Sequence, residues 1–221
     1  MPLLGGRSVP RSWLGWGNAL AAGMMLGVAF TLGVVEGVEA GPAALGALAG
    51  LLLVAGTRRA VGAEDLEMNR TDRADAVYGY RVALLQTFHA GAEGVAIGAA
   101  MAADVAFGLV TVATVAVHNV PEGAVLAAVQ RARGLRLPAA ALTAVAVNLP
   151  QAFIGVATWS VIDAAPAALP WMLGLAAGML IQLVLVDLLP ESYREAGHTS
   201  IAVVTSVAMS AVALLMGWIV P

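Results

Sequence analysis

Seven long apolar stretches occupy most of this 221-residue chain, and they constrain its fold more than any other feature. A helix needs about 20 mainly apolar residues to cross a bilayer, whereas a membrane β-barrel needs alternating apolar and polar residues, which these stretches lack. We therefore predict an all-α, polytopic membrane bundle of about seven helices. The stretches cover residues 13–36, 42–57, 81–103, 105–129, 138–161, 168–188 and 199–219.

The composition agrees with burial in lipid. Hydrophobic residues make up 60% of the chain and charged residues only 11%, whereas a soluble domain is about one quarter charged. The net charge of −3 argues against a nucleic-acid partner. The expected surroundings are the lipid bilayer, and the expected organisation is a single transmembrane domain over residues 1–221.

The positively charged residues are all arginines, and they predict the orientation of the bundle. If the seven stretches alternate in direction, every arginine falls on one side of the membrane. Basic residues concentrate in cytoplasmic loops, so we predict a cytoplasmic N-terminus, an outer C-terminus and a place in the plasma (inner) membrane. The polar 58–80 segment is then a cytoplasmic loop. The arginines are Arg7, Arg11, Arg58, Arg59, Arg70, Arg73, Arg81, Arg131, Arg133, Arg136 and Arg194.

Two copies of the pattern H-x-x-x-E-G lie in the third and fourth stretches, as HAGAEG at 89–94 and HNVPEG at 118–123. A spacing of four residues places His and Glu on one helical face, one turn apart. Ionisable side chains at membrane depth are costly and mark functional sites. Because a tight turn near Asp104 joins the two stretches, the two pairs are expected to face each other. The four residues are His89, Glu93, His118 and Glu122.

Two imidazoles and two carboxylates are a ligand set for a divalent transition metal. The chain has no Cys, so thiolate ligands are excluded. Asn119 could add a carbonyl oxygen, and Pro121 is expected to kink its helix and free the carbonyl of Val117 toward the site. Imidazole must be neutral and carboxylate charged to bind a metal, so acid should weaken binding.

Two other interpretations of the His and Glu residues are weaker. A single His–Glu pair is as well explained by an interhelical hydrogen bond, but two facing pairs favour a metal. An intramembrane metalloprotease would need H-E-x-x-H, and a di-iron bundle would need E-x-x-H. Neither order occurs here, so no enzyme activity is predicted.

HNVPEG in a membrane helix, preceded by a second H-x-x-x-E-G helix, resembles the ZIP family of divalent metal transporters. The stretch GMMLGVAF at 23–30 resembles the second helix of the family, and LGLAAGMLIQLVLVDLLPES at 173–192 is similar to its seventh. The resemblance implies transport of zinc into the cytoplasm, with iron, manganese, cobalt or cadmium as alternatives. The metal is then cargo rather than cofactor. A membrane metal sensor or binding module that does not transport is the alternative function.

Family members have eight spans with both termini outside, so the equivalent of the first helix is expected to be missing here. The resemblance also suggests a homodimer. It implies that the ligands on the fourth and fifth helices of the family are His89, Glu93, His118, Asn119 and Glu122. Ala90 and Ala92 replace the Asn and Pro of the usual fourth helix, which would deprive a second metal of a ligand.

Three further residues complete the expected pathway. The sixth helix of the family often supplies a Glu, and Gln151 is the expected counterpart here. Its neutral amide would weaken binding and favour a single ion. Met25 could offer a thioether at the outer entrance. Asp187 either passes metal to the cytosol or caps its helix.

Overall fold

The computed structural model describes residues 11–62, 66 and 75–219, and all regular elements among them are helical. This confirms the prediction of an all-α bundle. A 3₁₀ turn precedes α7 at Pro166–Ala168, and a π-helical segment at Val184–Leu188 joins α7 to α8. The helices are α1 (Arg11–Gly33), α2 (Ala40–Ala60), α3 (Ala76–Ala103), α4 (Val105–Ala132), α5 (Leu137–Ala146), α6 (Leu149–Ala164), α7 (Leu169–Leu183), α8 (Leu189–Glu195) and α9 (His198–Ile219).

Six helical segments are long and apolar enough to cross a membrane: 12–33, 40–60, 105–132, 137–164, 166–195 and 198–218. The seventh, α3, has 28 residues, which is ample for a span. Its mean hydropathy is lowered by polar residues in its middle, among them Gln86, His89 and Glu93. α3 packs against α4, α6 and α7. The long helix that carries the first His–Glu pair is therefore packed against helices that are apolar enough to span a membrane.

The breaks in the helices differ from those expected. α4 continues through Pro121 as one helix. The stretch predicted at 138–161 is instead divided into α5 and α6, and the reason is Pro150. Its ring collides with the carbonyl four residues earlier, at Ala146, which is where α5 ends. The π-helical segment similarly precedes Pro190 and widens the helix before that ring.

Glycines bring several pairs of helices into backbone contact, among them α2–α7 and α3–α6. A Cβ at Gly46 or Gly50 of α2 would lie 2.3 or 2.2 Å from a carbonyl oxygen of α7, and α7 has matching glycines at 174 and 178. A Cβ at Gly98 of α3 would lie 2.3 Å from the carbonyl oxygen of Gly155 in α6. Small residues at four-residue spacing allow such close approach in membrane bundles. The missing side chains at these glycines therefore determine which helices can pack closely, α2 against α7 and α3 against α6.

The arginines, unlike the acidic residues, gather at one end of the bundle in the part of the chain that the structure describes. One end, here called the arginine end, carries the described arginine side chains; the opposite, acidic end carries Glu36, Glu39, Asp104 and Asp163. Two contacts between helices lie at the arginine end. The indole of Trp16 in α1 donates to Ser200 in α9, and Arg58 in α2 pairs with Asp187 in the π-helical segment. The arginines with described side chains are Arg58, Arg59, Arg81, Arg131, Arg133, Arg136 and Arg194, whereas Arg7, Arg70 and Arg73 lie outside the described residues.

The predicted cytoplasmic loop at 58–80 is shorter than expected. α2 continues to Ala60 and α3 begins at Ala76, so Arg58 and Arg59 belong to a helix rather than to a loop. Arg58 is also buried, with only 6% of its surface exposed. Burial of a guanidinium requires a partner. The pattern of charges in the sequence could not show that one existed.

Candidate metal site

The turn between α3 and α4 sets the depth of the predicted metal ligands. Asp104 ends α3 through its backbone N–H, which donates to Ala100, and begins α4 through its carboxylate, which accepts from the N–H of Phe107 at 2.8 Å. His89 lies 15 residues before this turn and His118 lies 14 residues after it. Both helices rise about 1.5 Å per residue, so the two histidines are level in the hairpin.

Side-chain direction then brings each Glu to the opposite His. Side chains of a helix lean toward its N-terminus, so those of α3 lean toward the arginine end and those of α4 toward the acidic end. The Oε1 atom of Glu93 lies 2.7 Å from Nε2 of His118, and Oε1 of Glu122 lies 3.5 Å from Nε2 of His89. All four side chains are buried, none more than 7% exposed.

The cluster is poor in hydrogen-bond partners. Both ring nitrogens of His89, Oε2 of Glu93 and Oε1 of Glu122 are buried without a hydrogen-bond partner among the described residues. Buried polar atoms are normally paired, because an unpaired one retains the full cost of leaving water. Two buried carboxylates make that cost larger still. A cation between the side chains would satisfy Nε2 of His89 together with the carboxylate oxygens.

The two contacts of His89 with carboxylates have the spacing of metal ligands. The Nε2 atom of His89 lies 3.4 Å from Oε1 of Glu93 and 3.5 Å from Oε1 of Glu122, and one donor atom from each lies within 4.8 Å of the others. A tetrahedral zinc ion with N and O ligands at about 2.0–2.2 Å holds its donors roughly 3.3–3.6 Å apart. His118 differs, because its 2.7 Å contact with Glu93 is a hydrogen-bond distance.

The predicted amide ligands contact each other beside the cluster. The Nδ2 group of Asn119 donates to Oε1 of Gln151 at 3.2 Å and so links α4 to α6. The side-chain amide oxygen of Asn119, Oδ1, is buried without a hydrogen-bond partner among the described residues. Gln86, which the sequence analysis missed, donates from Nε2 to Oε2 of Glu122 at 3.3 Å. It holds that carboxylate with its second oxygen free for a metal.

The two predicted pathway residues have different surroundings. Met25 is fully buried in α1, within the main apolar core. Asp187 lies in the π-helical segment, and its carboxylate forms a buried ion pair with the guanidinium of Arg58.

A small cavity of about 20 Å³ lies on the arginine side of the cluster. That volume is enough for one water molecule or one ion. Three carboxylates and two amides line it: Glu122, Asp187, Glu191, Asn18 and Gln86. The sequence analysis did not assign Asn18 or Glu191 to a site. Asn18 and Gln86 could have been noticed because they are polar residues within apolar stretches. Glu191 lies near a helix end, where an exposed carboxylate is expected, so the sequence did not indicate its burial.

The fold and the cluster together define a class: a helical membrane protein with a buried His/Glu site suited to a divalent metal. Comparison with known proteins specifies the family. The model of the "ZIP Zinc transporter" family matches residues 61–221, so this chain belongs to the ZIP family. The chain is also 32% identical over 209 residues to the "Putative zinc transporter At3g08650" of Arabidopsis thaliana. That match covers 92% of this chain and 34% of the plant protein, so the chain spans about a third of its relative.

Proposed function

We propose that this protein transports a divalent transition-metal ion, zinc in the first place, across a membrane toward the cytoplasm. The observation that carries the proposal is the buried cluster of α3 and α4, in which donor atoms of His89, Glu93 and Glu122 stand 3.4–3.5 Å apart around His89 without satisfying one another. Membership of the ZIP family and the name of the plant relative support the same reading.

In this proposal His89, Glu93 and Glu122 bind the ion directly. His118 orients Glu93 in the apo state and joins the ligands when the ion arrives, and Asn119 with Gln151 offers amide oxygens at the α6 side. An imidazole and two carboxylates form a site that binds zinc well and accepts iron, manganese, cobalt or cadmium. The two carboxylates also neutralise a divalent ion, which lowers the cost of placing it in the bundle.

The ion is proposed to leave the cluster toward the arginine end. Glu122 belongs both to the cluster and to the small cavity, so it can pass the ion from one to the other. On the acidic side α3 continues with Ala96, one turn beyond Glu93, which is fully buried in the main apolar core together with Met25. Arginine distribution favours the cytoplasm at the arginine end. Transport into the cytoplasm follows from these two assignments.

The test is zinc uptake into liposomes that contain the purified protein. His89→Ala is expected to abolish protein-dependent uptake, and His118→Ala to reduce it strongly. His198→Ala is the matched control, because this third histidine is exposed at the start of α9 and should not affect uptake. Equal uptake by all variants would refute the proposed site. Tight zinc binding by the wild type without uptake would instead favour the sensor.

A further inference from the structure

The buried ion pair between Arg58 and Asp187 connects α2 to the π-helical segment. The side chains of the two residues are only 7% and 4% exposed. An ion pair at this depth contributes little net stability, because desolvation offsets most of the attraction. Its position beside the candidate metal site points to another role.

The pair also determines the charge of the small cavity. Of the three carboxylates that line it, Asp187 is paired with Arg58 and Glu191 with Arg194, whose guanidinium lies 2.5 Å away. Glu122 contacts a neutral amide, that of Gln86. The guanidinium of Arg194 is about half exposed, so solvent screens it more than it screens Arg58. Arg58 therefore neutralises Asp187 from within the protein and lowers the negative charge of the cavity.

Without Arg58, the cavity would have the composition of a cation site. Asp187 and Glu122 would present two carboxylates, and the amides of Asn18 and Gln86 could add oxygen ligands. Oxygen ligands of this kind suit manganese and magnesium as well as zinc. Glu122 lines this cavity as well as the His/Glu cluster, and its Oε1 atom, more than nine-tenths buried and without a hydrogen-bond partner, lies on the side of His89.

We propose that the Arg58 guanidinium takes the place of a divalent cation beside Asp187 and so prevents the inner cavity from holding a metal ion tightly. This inference rests on the proposed function, since it explains why an ion that leaves the His/Glu cluster is not trapped at the next group of carboxylates. It makes Arg58 a residue that sets ion release rather than a ligand. Loss of its charge should convert the cavity into a retaining site.

The experiment measures manganese binding to purified protein by equilibrium dialysis. Arg58→Met is expected to bind one manganese ion more per chain than the wild type, at least about tenfold more tightly than any wild-type manganese site, because a nearby positive charge is gone. Arg59→Met is the matched control, since Arg59 follows Arg58 on the same helix but is exposed. The double variant Arg58→Met/Asp187→Asn should lose the additional ion.

A further variant separates this inference from the proposed function. Arg58→Met/His118→Ala should keep the additional manganese ion, because the inner cavity uses no imidazole. The proposed function fails if variants that lack the cluster histidines bind zinc as tightly as the wild type does. The inference fails if Arg58→Met binds no additional manganese or if Arg59→Met gains the same ion.

Arg58→Met could also unfold the protein, and that result is informative too. If an uncompensated Asp187 is the cause, either added manganese or the second change Asp187→Asn should restore a monodisperse protein in size-exclusion chromatography. Failure of both to do so would show that Arg58 acts through packing, and would overturn the proposal.

Discussion

The Nε2 atom of His118 lies 2.7 Å from Oε1 of Glu93, which places an imidazole of α4 at hydrogen-bond distance from a carboxylate of α3. The contact joins the two halves of the repeated motif across the hairpin. It also makes the two histidines unequal, because His89 stands at metal-ligand spacing from two carboxylates. This inequality leads to a prediction about zinc affinity.

Replacing the two histidines should have effects of different size. His118→Ala removes a group that orients Glu93 and that joins the ligands only when the ion arrives, and loss of an orienting group weakens metal binding by about 10- to 100-fold. His89→Ala removes the donor central to the cluster and should weaken binding by more than about 100-fold. Isothermal titration of the purified protein with zinc gives both values. Equal losses in the two variants would show that both histidines contribute equally to zinc affinity.

Zinc affinity should fall as the solution becomes more acidic. The imidazole binds metal when neutral and the carboxylates when ionised, so protons compete with zinc for the same atoms. Each proton that zinc displaces from a protonated ligand changes the apparent Kd by up to about tenfold per pH unit. The titration is repeated between neutral and mildly acidic pH with His198→Ala as control. A Kd that does not depend on pH would contradict binding by these residues.

The backbone contact between α2 and α7 should make Gly50 intolerant of any side chain. A Cβ there would lie 2.2 Å from the carbonyl oxygen of Leu175, whereas a Cβ at Gly56 on the same helix meets nothing within 4 Å. Gly50→Val is therefore expected to destabilise the fold by about 1–3 kcal/mol or more. Gly56→Val should stay close to the wild type. Thermal unfolding in detergent compares the two.

The orientation of the bundle can be tested because the chain contains no cysteine. Single cysteines are introduced at two exposed alanines, Ala132 at the arginine end and Ala165 at the acidic end. Ala165→Cys should react with a membrane-impermeant maleimide in intact cells, since we place the acidic end outside. Ala132→Cys should react only after the cells are permeabilised. The reverse pattern would invert the proposed direction of transport.

The positions of the helices could be predicted well, because membrane spans depend on length and apolarity. The predicted ends differ from those of the structure mainly where polar residues extend a helix, as at the end of α2. The interruption between α5 and α6 was missed although Pro150 was visible in the sequence. Pro121 has the same chemistry, yet α4 continues through it. The presence of a proline therefore does not by itself determine where a helix ends.

The core of the candidate site could also be predicted. Two His–Glu pairs at four-residue spacing, joined by a short turn, can meet only across that hairpin. The sequence could not show that Gln86 supports Glu122, or that Asn119 and Gln151 contact each other. Those contacts depend on how three helices are rotated about their axes, and continuous apolar stretches do not encode this rotation in their periodicity.

The sequence alone determined that this chain is a bundle of apolar helices with a His/Glu cluster within it and with its described arginine side chains at one end. The reason is that lipid tolerates few polar groups, so those that occur in the spans carry information by themselves. Only the tertiary structure decided that Arg58 is buried and paired with Asp187. The partner of a buried charge comes from a distant helix, and the glycines of α2 and α7, which let the two backbones approach, help to fix which helix that is.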